Sequence, residues 1–232
     1  ALITPTVLAR PWLTALAGLA VVVATVVRPP VPGWPGQWQV AICDVGQGSA
    51  ALVRAGPHEA VVVDTGPDPH RLSHCLDDLG VAQVPVVILS HFHADHVDGL
   101  NAVRDHGLTR AIVVSQLASP PWSAKRVAQT AAQLGAKVLV AHPGHVMTAG
   151  TAKLELWGGI QLSDAGTDEP GEESAVENNS SVVLKAMVNG LTVVLPGDAE
   201  PEEQRHILAG RMDLSSDCLL YTSPSPRDQR GS

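Results

Sequence analysis

Three histidines and one aspartate fall within six residues of the stretch 90–96, which reads SHFHADH. Neutral imidazole and carboxylate are ligands that divalent zinc, manganese and iron prefer in proteins. In an extended loop, His91 and His93 would point the same way and could bind one ion. Asp95 and His96 would then reach a second position a few ångströms away. The stretch therefore predicts a site for one or two divalent metal ions, zinc or manganese.

Strands must position these side chains, and the apolar run 84–89 directly precedes the histidines. The run is short, β-branched and bounded by turn residues, which predicts a buried strand of an α/β sheet. Ligands of open α/β sheets lie just past the carboxyl ends of strands. Asp64 and Asp198 also follow apolar runs, and Asp198, at the end of a predicted strand, has a suitable position for a metal ligand. Two alternatives stay open: Asp64 caps the next turn, or Asp198 caps the helix predicted after it.

Composition bounds the class of protein. The chain has 232 residues, a formal net charge of −8 and only 3% aromatic residues, so its core must use Val, Leu, Ala and Ile. A negative net charge disfavours binding nucleic acid through general electrostatic attraction to its phosphates, although bound metal cations offset this locally. The three cysteines, Cys43, Cys75 and Cys218, form no C-x-x-C pair and predict no even-numbered disulfide framework, so they indicate no compartment.

The N-terminal stretch reads as the end of a membrane region, residues 1–28. Residues 12–27 carry no charge and lie between Arg10 and Arg28, which favours one transmembrane helix. A signal-peptide core and a buried helix are the alternatives. The chain begins with Ala1 rather than Met, which indicates an internal fragment. Residues 29–37 are rich in Pro and Gly and predict a stiff, extended linker.

Residues 38–217 predict one α/β domain. The acidic stretch 163–177 reads as a solvated loop, and Asn189-Gly190 is a strong hairpin signal. The predicted strands are 38–44, 50–55, 60–64, 84–89, 111–114, 137–140, 151–157, 180–188 and 191–195, and the predicted helices are 69–79, 99–105, 123–134 and 201–209.

The H-x-H-x-D-H string after an apolar strand resembles the metal-binding motif of the metallo-β-lactamase superfamily. That resemblance implies an αββα sandwich with the metals between its sheets, and a metal-activated water that attacks an ester, amide or phosphodiester. It also implies that Asp64 supports the metal loop and that Asp198 bridges two metals. The implied metal ligands are His91, His93, Asp95, His96 and Asp198. Asp95 and His96 are the implied catalytic residues, with Asp95 accepting the proton of the attacking water.

Two further stretches resemble the ComEC competence proteins: 40–50 (VAICDVGQGSA) and 177–184 (ENNSSVVL). ComEC proteins are polytopic membrane proteins that pass one DNA strand inward during natural transformation. Their metallo-β-lactamase-like domain lies outside the membrane and is implicated in degrading the other strand. The resemblance thus implies the bacterial inner membrane, an extracytoplasmic domain, and DNA, membrane and other DNA-uptake proteins as partners.

The same resemblance supplies residues that support the site or face the substrate. Gln47 and Ser49 belong to the first stretch. Asn178, Asn179 and Ser180 stand where other superfamily members carry a third metal histidine, and a simple polar turn is the alternative there.

The sequence also departs from the family. Ser49 replaces an aspartate that usually follows Gly-Gln-Gly, and Asp98-Gly99 replaces Gly-Gly. A strand with His-His-Gly should follow Asp217, but residues 218–232 resemble a translated sequencing adapter and are excluded from the functional argument. The sandwich is therefore expected to be incomplete at its C-terminus, poorly stable and inactive as a fragment.

The sequence is also compatible with two other functions. One is a membrane-anchored or secreted hydrolase of a small thioester or lactam, which the acidic balance favours. The other is a non-catalytic DNA-binding or channel-gating domain with a degenerate metal site.

Overall fold

The computed structural model describes residues 36–158, 175–210 and 213–220, and residues 12, 15, 16, 18 and 19 of the N-terminal stretch. The chain divides into two compact units, 1–36 and 37–232. In the first unit, residues 12, 15, 16, 18 and 19 are helical and exposed. Within the part of the chain that is described, no helix is long and apolar enough to cross a membrane. The predicted transmembrane segment 12–27 lies mostly outside the described residues and stays a prediction.

The first sheet has six strands in sequence order, and it carries the predicted metal loop. The first three strands run antiparallel to their neighbours, whereas β3 to β6 are parallel. The strands are β1 (Val40–Ile42), β2 (Ala51–Arg54), β3 (Ala60–Val63), β4 (Val86–Ile88), β5 (Ala111–Val114) and β6 (Lys137–Val140).

The second sheet has five strands in the order β11-β10-β9-β8-β7, which are β7 (His145–Ala149), β8 (Ala152–Gly158), β9 (Val182–Val188), β10 (Leu191–Leu195) and β11 (Cys218–Leu219). The predicted hairpin is confirmed: Asn189 and Gly190 have φ angles of 48° and 86°, as a two-residue turn of this kind requires. Strand β11 pairs in parallel with β10, so the first two residues of the excluded segment lie at a sheet edge.

Helices flank both sheets. They are α1 (Pro69–Asp78), α2 (Ala94–Val97), a 3-10 helix (Asp98–Asp105), α3 (Pro121–Leu134), α4 (Ala175–Asn178) and α5 (Pro201–Ala209). Local signals explain the two longest helices. Helix α1 begins where the Asp68 carboxylate accepts a hydrogen bond from the backbone N–H of His70, and α3 ends at Gly135 in the left-handed conformation.

The buried apolar side chains form three layers, and two of them arise because successive side chains of a strand point to opposite faces of the first sheet. Leu52 and Val62 face the helices α1 and α3, whereas their neighbours Val53 and Val61 face the second sheet. A third, smaller cluster lies between the second sheet and α5. The order is therefore helices, sheet, sheet, helix, and the predicted two-sheet α/β sandwich is confirmed.

Sequence patterns misjudged several elements. The first strand is three residues long rather than seven, and β7, which lies at a sheet edge and is mostly exposed, has no continuous apolar run that predicts a strand. The end of the acidic stretch, predicted as a solvated loop, forms helix α4, and Glu177 within it is largely buried. The rest of that stretch falls on residues 159–174, which lie outside the described part.

The expectation for the cysteines was wrong for two of them. Cys43, just after β1, forms a disulfide with Cys75 in α1, across a sequence separation of 32 residues. The spacing alone could not reveal the pair, because the sheet brings these distant residues together. Cys218 is exposed and free.

The disulfide predicts a thiol count. In protein folded under oxidising conditions and then denatured without reductant, one thiol per chain should react with a colorimetric thiol reagent. After reduction, all three cysteines should react. Three reactive thiols before reduction would contradict the pairing, and a Cys218→Ser variant, with no reactive thiol expected, controls for which cysteine is free.

Candidate metal centre

The candidate centre lies where strands of both sheets end. Asp64 follows β3 and the histidine loop follows β4, and these strands are parallel neighbours, so both deliver side chains to the same edge. Asp198 follows β10 of the second sheet. These side chains therefore come from both sheets of the sandwich.

His91 is 1% exposed and has both ring nitrogens in polar contact. Its Nε2 lies 3.0 Å from Nδ1 of His93. Its Nδ1 lies 3.0 Å from the Ser90 hydroxyl and 3.4 Å from the Ser181 hydroxyl. The Nδ1 edge of the imidazole therefore contacts serine hydroxyls, and the Nε2 edge contacts His93.

His96 is fully buried and is held in a similar way. Its Nδ1 lies 2.8 Å from Oδ2 of Asp64. Its Nε2 faces two more carboxylates, 3.5 Å from Asp95 and 3.4 Å from Asp198. That nitrogen has no hydrogen-bond partner, and neither has the buried Oδ1 of Asp198.

These atoms fit a bound cation. One ligand atom each from His91, His96 and Asp198 lies within 4.8 Å of the others. Buried polar atoms without a partner are costly, and a cation between His96 Nε2 and Asp198 Oδ1 would satisfy both. His96 packs against His91, with ring centroids 4.2 Å apart, and also contacts Asp95, so the assignment of Asp95 and His96 to a second metal position stays a prediction.

Asp64 holds the histidine loop in place. Its carboxylate accepts hydrogen bonds from the Ser90 backbone N–H at 2.7 Å and the Ser90 hydroxyl at 2.8 Å, besides its contact with His96. Its φ angle is 56°, a conformation that is unfavourable for residues other than glycine and that concentrates at functional sites. The carboxylate therefore contacts the metal loop rather than only capping a turn.

The Gly-Gln-Gly loop packs against the backbone of Asp95. The N–H of Ser49 donates to the Asp95 carbonyl at 3.2 Å. Gly48 has no space for a side chain, because a Cβ there would lie 2.3 Å from the same carbonyl oxygen. Ser49 is buried, whereas Gln47 is exposed. This loop thus fixes where Asp95 stands.

The Asn-Asn-Ser stretch binds other parts of the chain. Asn178 donates to the Glu200 carboxylate at 3.3 Å, and Asn179 accepts from the Glu200 N–H at 3.0 Å. The Ser180 hydroxyl donates to the carbonyl of Glu177 at 2.6 Å. The oxygen Oδ1 of Asn178 is buried without a hydrogen-bond partner. These contacts tie α4 to the start of α5; a role toward metal or substrate stays a prediction.

Sequence reasoning missed Glu177. Its Oε2 lies 2.7 Å from Nε2 of His93, although 84 residues separate the two. Glu177 is the last residue of the acidic stretch 163–177, whose charge pattern predicts a solvated loop. The one available signal was its position directly before Asn178, at the start of the second ComEC-like stretch.

The histidines differ in their affinity for protons. Burial lowers the pKa of His91 well below its ordinary value, and the neighbouring His96 and His93 lower it further. Burial also lowers the pKa of His96, but the carboxylates of Asp64 and Asp198 outweigh it and hold that pKa well above its ordinary value. In the metal-free protein, His96 therefore binds a proton more readily than His91.

Residues 43–211 match the sequence profile of the metallo-beta-lactamase superfamily, and the chain belongs to that superfamily. Its fold binds divalent metal ions, often zinc, and its members are typically hydrolases. The chain is also similar to ComE operon protein 3 of Bacillus subtilis (strain 168), with 26% identity over 202 residues, covering 78% of this chain and 24% of that protein. The chain thus spans about a quarter of the length of this relative.

Solved structures show the same fold. A motif mutant of the metallo-beta-lactamase from Cronobacter sakazakii has a TM-score of 0.52 and 17% identity, covering 81% of this chain and 77% of the other. MEM-A1, a subclass B3 metallo-beta-lactamase from a soil metagenome library, has a TM-score of 0.51 and 15% identity, covering 80% and 77%. At such identities the likeness establishes the fold alone.

Replacing Asp64 tests its support of the loop. In Asp64→Asn, one acceptor oxygen becomes an NH2 group that faces donors, so we expect zinc affinity to fall about 10- to 100-fold. The free energy of unfolding should fall by roughly 1–3 kcal/mol. Zinc titration against a competing chelator and urea unfolding measure the two effects. The exposed Asp105→Asn is the matched control, and unchanged affinity in Asp64→Asn would refute the assigned support.

The raised pKa of His96 predicts proton-coupled metal binding. A metal ligand must be deprotonated, so metal binding should release protons from this residue, and affinity should rise with pH. Calorimetry in two buffers of different ionisation enthalpy counts the protons. In the metal-free protein the same group should stabilise the fold at low pH, with the contribution lost as pH rises through the raised pKa. Binding without proton release would contradict the raised pKa.

Proposed function

We propose that this chain is the metal-dependent hydrolase domain of a membrane DNA-uptake protein, a nuclease that degrades the DNA strand that is not transported. The observation that carries the hydrolase part is the buried cluster of His91, His96 and Asp198 with two unpartnered polar atoms. The similarity to ComE operon protein 3 supports the DNA-uptake part.

The ligand set we propose is His91, His93, Asp95, His96 and Asp198, holding one or two divalent ions. Imidazole and carboxylate together suit both zinc and manganese. When bound, the ion polarises a phosphodiester and acidifies a water molecule. The Asp95 side chain is 25% exposed, more than those of the histidines around it. It can therefore accept the proton of the attacking water and pass it to solvent.

Charge shapes how DNA would bind. With a net charge of −8, the chain offers no general attraction to phosphates. We propose that DNA is held mainly at the metal centre, where bound cations locally reverse the sign of the potential. The affinity for DNA should accordingly depend only weakly on salt concentration.

The disulfide supports an extracytoplasmic position for the domain. Disulfides persist in oxidising compartments and are rare in the bacterial cytoplasm. A cross-link between Cys43 and Cys75 therefore agrees with a domain outside the inner membrane, which residues 12–27 would anchor.

A nuclease assay tests the function. The complete domain, loaded with manganese or zinc, should cleave single-stranded or duplex DNA, and His91→Ala should lower the rate by about 100-fold or more because a ligand is lost. His142→Ala, at an exposed histidine, is the matched control and should cleave normally.

The other outcomes separate the alternatives. Hydrolysis of a lactam or thioester without DNA cleavage would replace the nuclease by a small-molecule hydrolase. Tight metal binding with neither activity would favour a non-catalytic DNA-binding or gating domain.

A further inference from the structure

Glu177 and His93 form a close, mostly buried contact. The Glu177 side chain is 16% exposed and that of His93 is 9% exposed, and Oε2 of the carboxylate lies 2.7 Å from Nε2 of the imidazole. The other carboxylate oxygen, Oε1, accepts a hydrogen bond from the hydroxyl of Ser119. Both oxygens of Glu177 are therefore engaged, and the side chain has little freedom to turn away.

The short helix that carries Glu177 is fixed to the first sheet at a second point. The Ser115 hydroxyl, just after β5, donates to the carbonyl of Ser180 at 2.6 Å. Ser180 in turn binds the carbonyl of Glu177 through its own hydroxyl. The segment after β5 thus holds Glu177 both through its side chain and through its backbone.

The arrangement repeats the one at His96. There, the Asp64 carboxylate binds Nδ1 and leaves Nε2 turned toward the candidate centre. At His93 the roles of the nitrogens are exchanged: a carboxylate binds Nε2, and Nδ1 faces Nε2 of His91 at 3.0 Å. A carboxylate that accepts a hydrogen bond from one ring N–H selects the tautomer whose other nitrogen has a free lone pair, and this lone pair can bind a metal.

We infer that Glu177 is a positioning residue of the metal centre: it holds the His93 ring and its tautomer so that Nδ1 is the metal-binding atom. This inference rests on the proposed function, because it assigns a role toward the same metal. Glu177 does not itself contact the substrate or the ion. Its loss should weaken metal binding and leave the chemistry of the fully loaded site largely intact.

The experiment compares Glu177→Gln and Glu177→Ala with the intact unmodified chain, and uses Glu202→Gln as the matched control at an exposed glutamate of α5. The probe is cobalt(II), whose visible spectrum reports the number and geometry of ligands, together with zinc affinity measured against a chelator. We expect zinc affinity to fall about 10- to 100-fold in Glu177→Ala, less in Glu177→Gln, and not at all in Glu202→Gln. The cobalt spectrum should change in the two Glu177 variants.

A merely structural role would give a different result. If Glu177→Ala lowers the melting temperature but binds zinc as tightly as the unmodified chain, with the same cobalt spectrum, the inference is overturned. Glu177→Gln keeps the shape of the side chain and so gives an answer even where Glu177→Ala does not fold.

These readouts are independent of DNA cleavage. If metal binding depends on Glu177 but the chain cleaves no DNA, the proposed nuclease activity is refuted and the inference about Glu177 is supported. If cleavage depends on His91 but metal affinity is unchanged in both Glu177 variants, the nuclease proposal is supported and the inference about Glu177 is refuted. A chain that binds neither zinc nor cobalt overturns both.

Discussion

The Asp64 carboxylate is the constraint on which the site depends. It accepts three hydrogen bonds within 2.8 Å: two from Ser90 and one from the ring of His96. The backbone of Asp64 adopts a left-handed conformation to reach them, at a cost of about 1–3 kcal/mol. Because Ser90 also contacts His91, this one carboxylate positions two of the histidines in the cluster. Removing its charge would release both ends of the loop at once.

The two sheets share the site, which couples metal binding to the closure of the sandwich. Asp64 and the histidines come from the first sheet, whereas Glu177 and Asp198 come from segments that flank strands of the second. Ser181, directly before β9, completes the contacts of His91. A site of this kind does not exist in the unfolded chain, so the free energy of metal binding adds to the stability of the folded one.

Local sequence patterns predicted the parts of the molecule whose causes are local. Apolar runs located most strands, Asn189-Gly190 located the hairpin, and the spacing of His91 to His96 predicted the candidate centre. Glu177 and the Cys43–Cys75 pair escaped because their partners are brought close only by the fold. The packing of His96 against His91 escaped for a related reason: the chain turns into helix α2 between them, and an extended loop would have separated them.

The disulfide has a consequence for the material on which any measurement is made. The loop that it closes runs from Cys43 to Cys75 and contains β2, β3 and Asp64. Closing a loop of this size stabilises a fold by about 3 to 4 kcal/mol in the chain-entropy account. A preparation made in a reducing cytoplasm, or stored with a thiol reductant, would lack this restraint around the residue that positions His96. Such a sample could lose metal while every ligand remained intact, so the oxidation state of the preparation belongs beside its metal content in any comparison of variants.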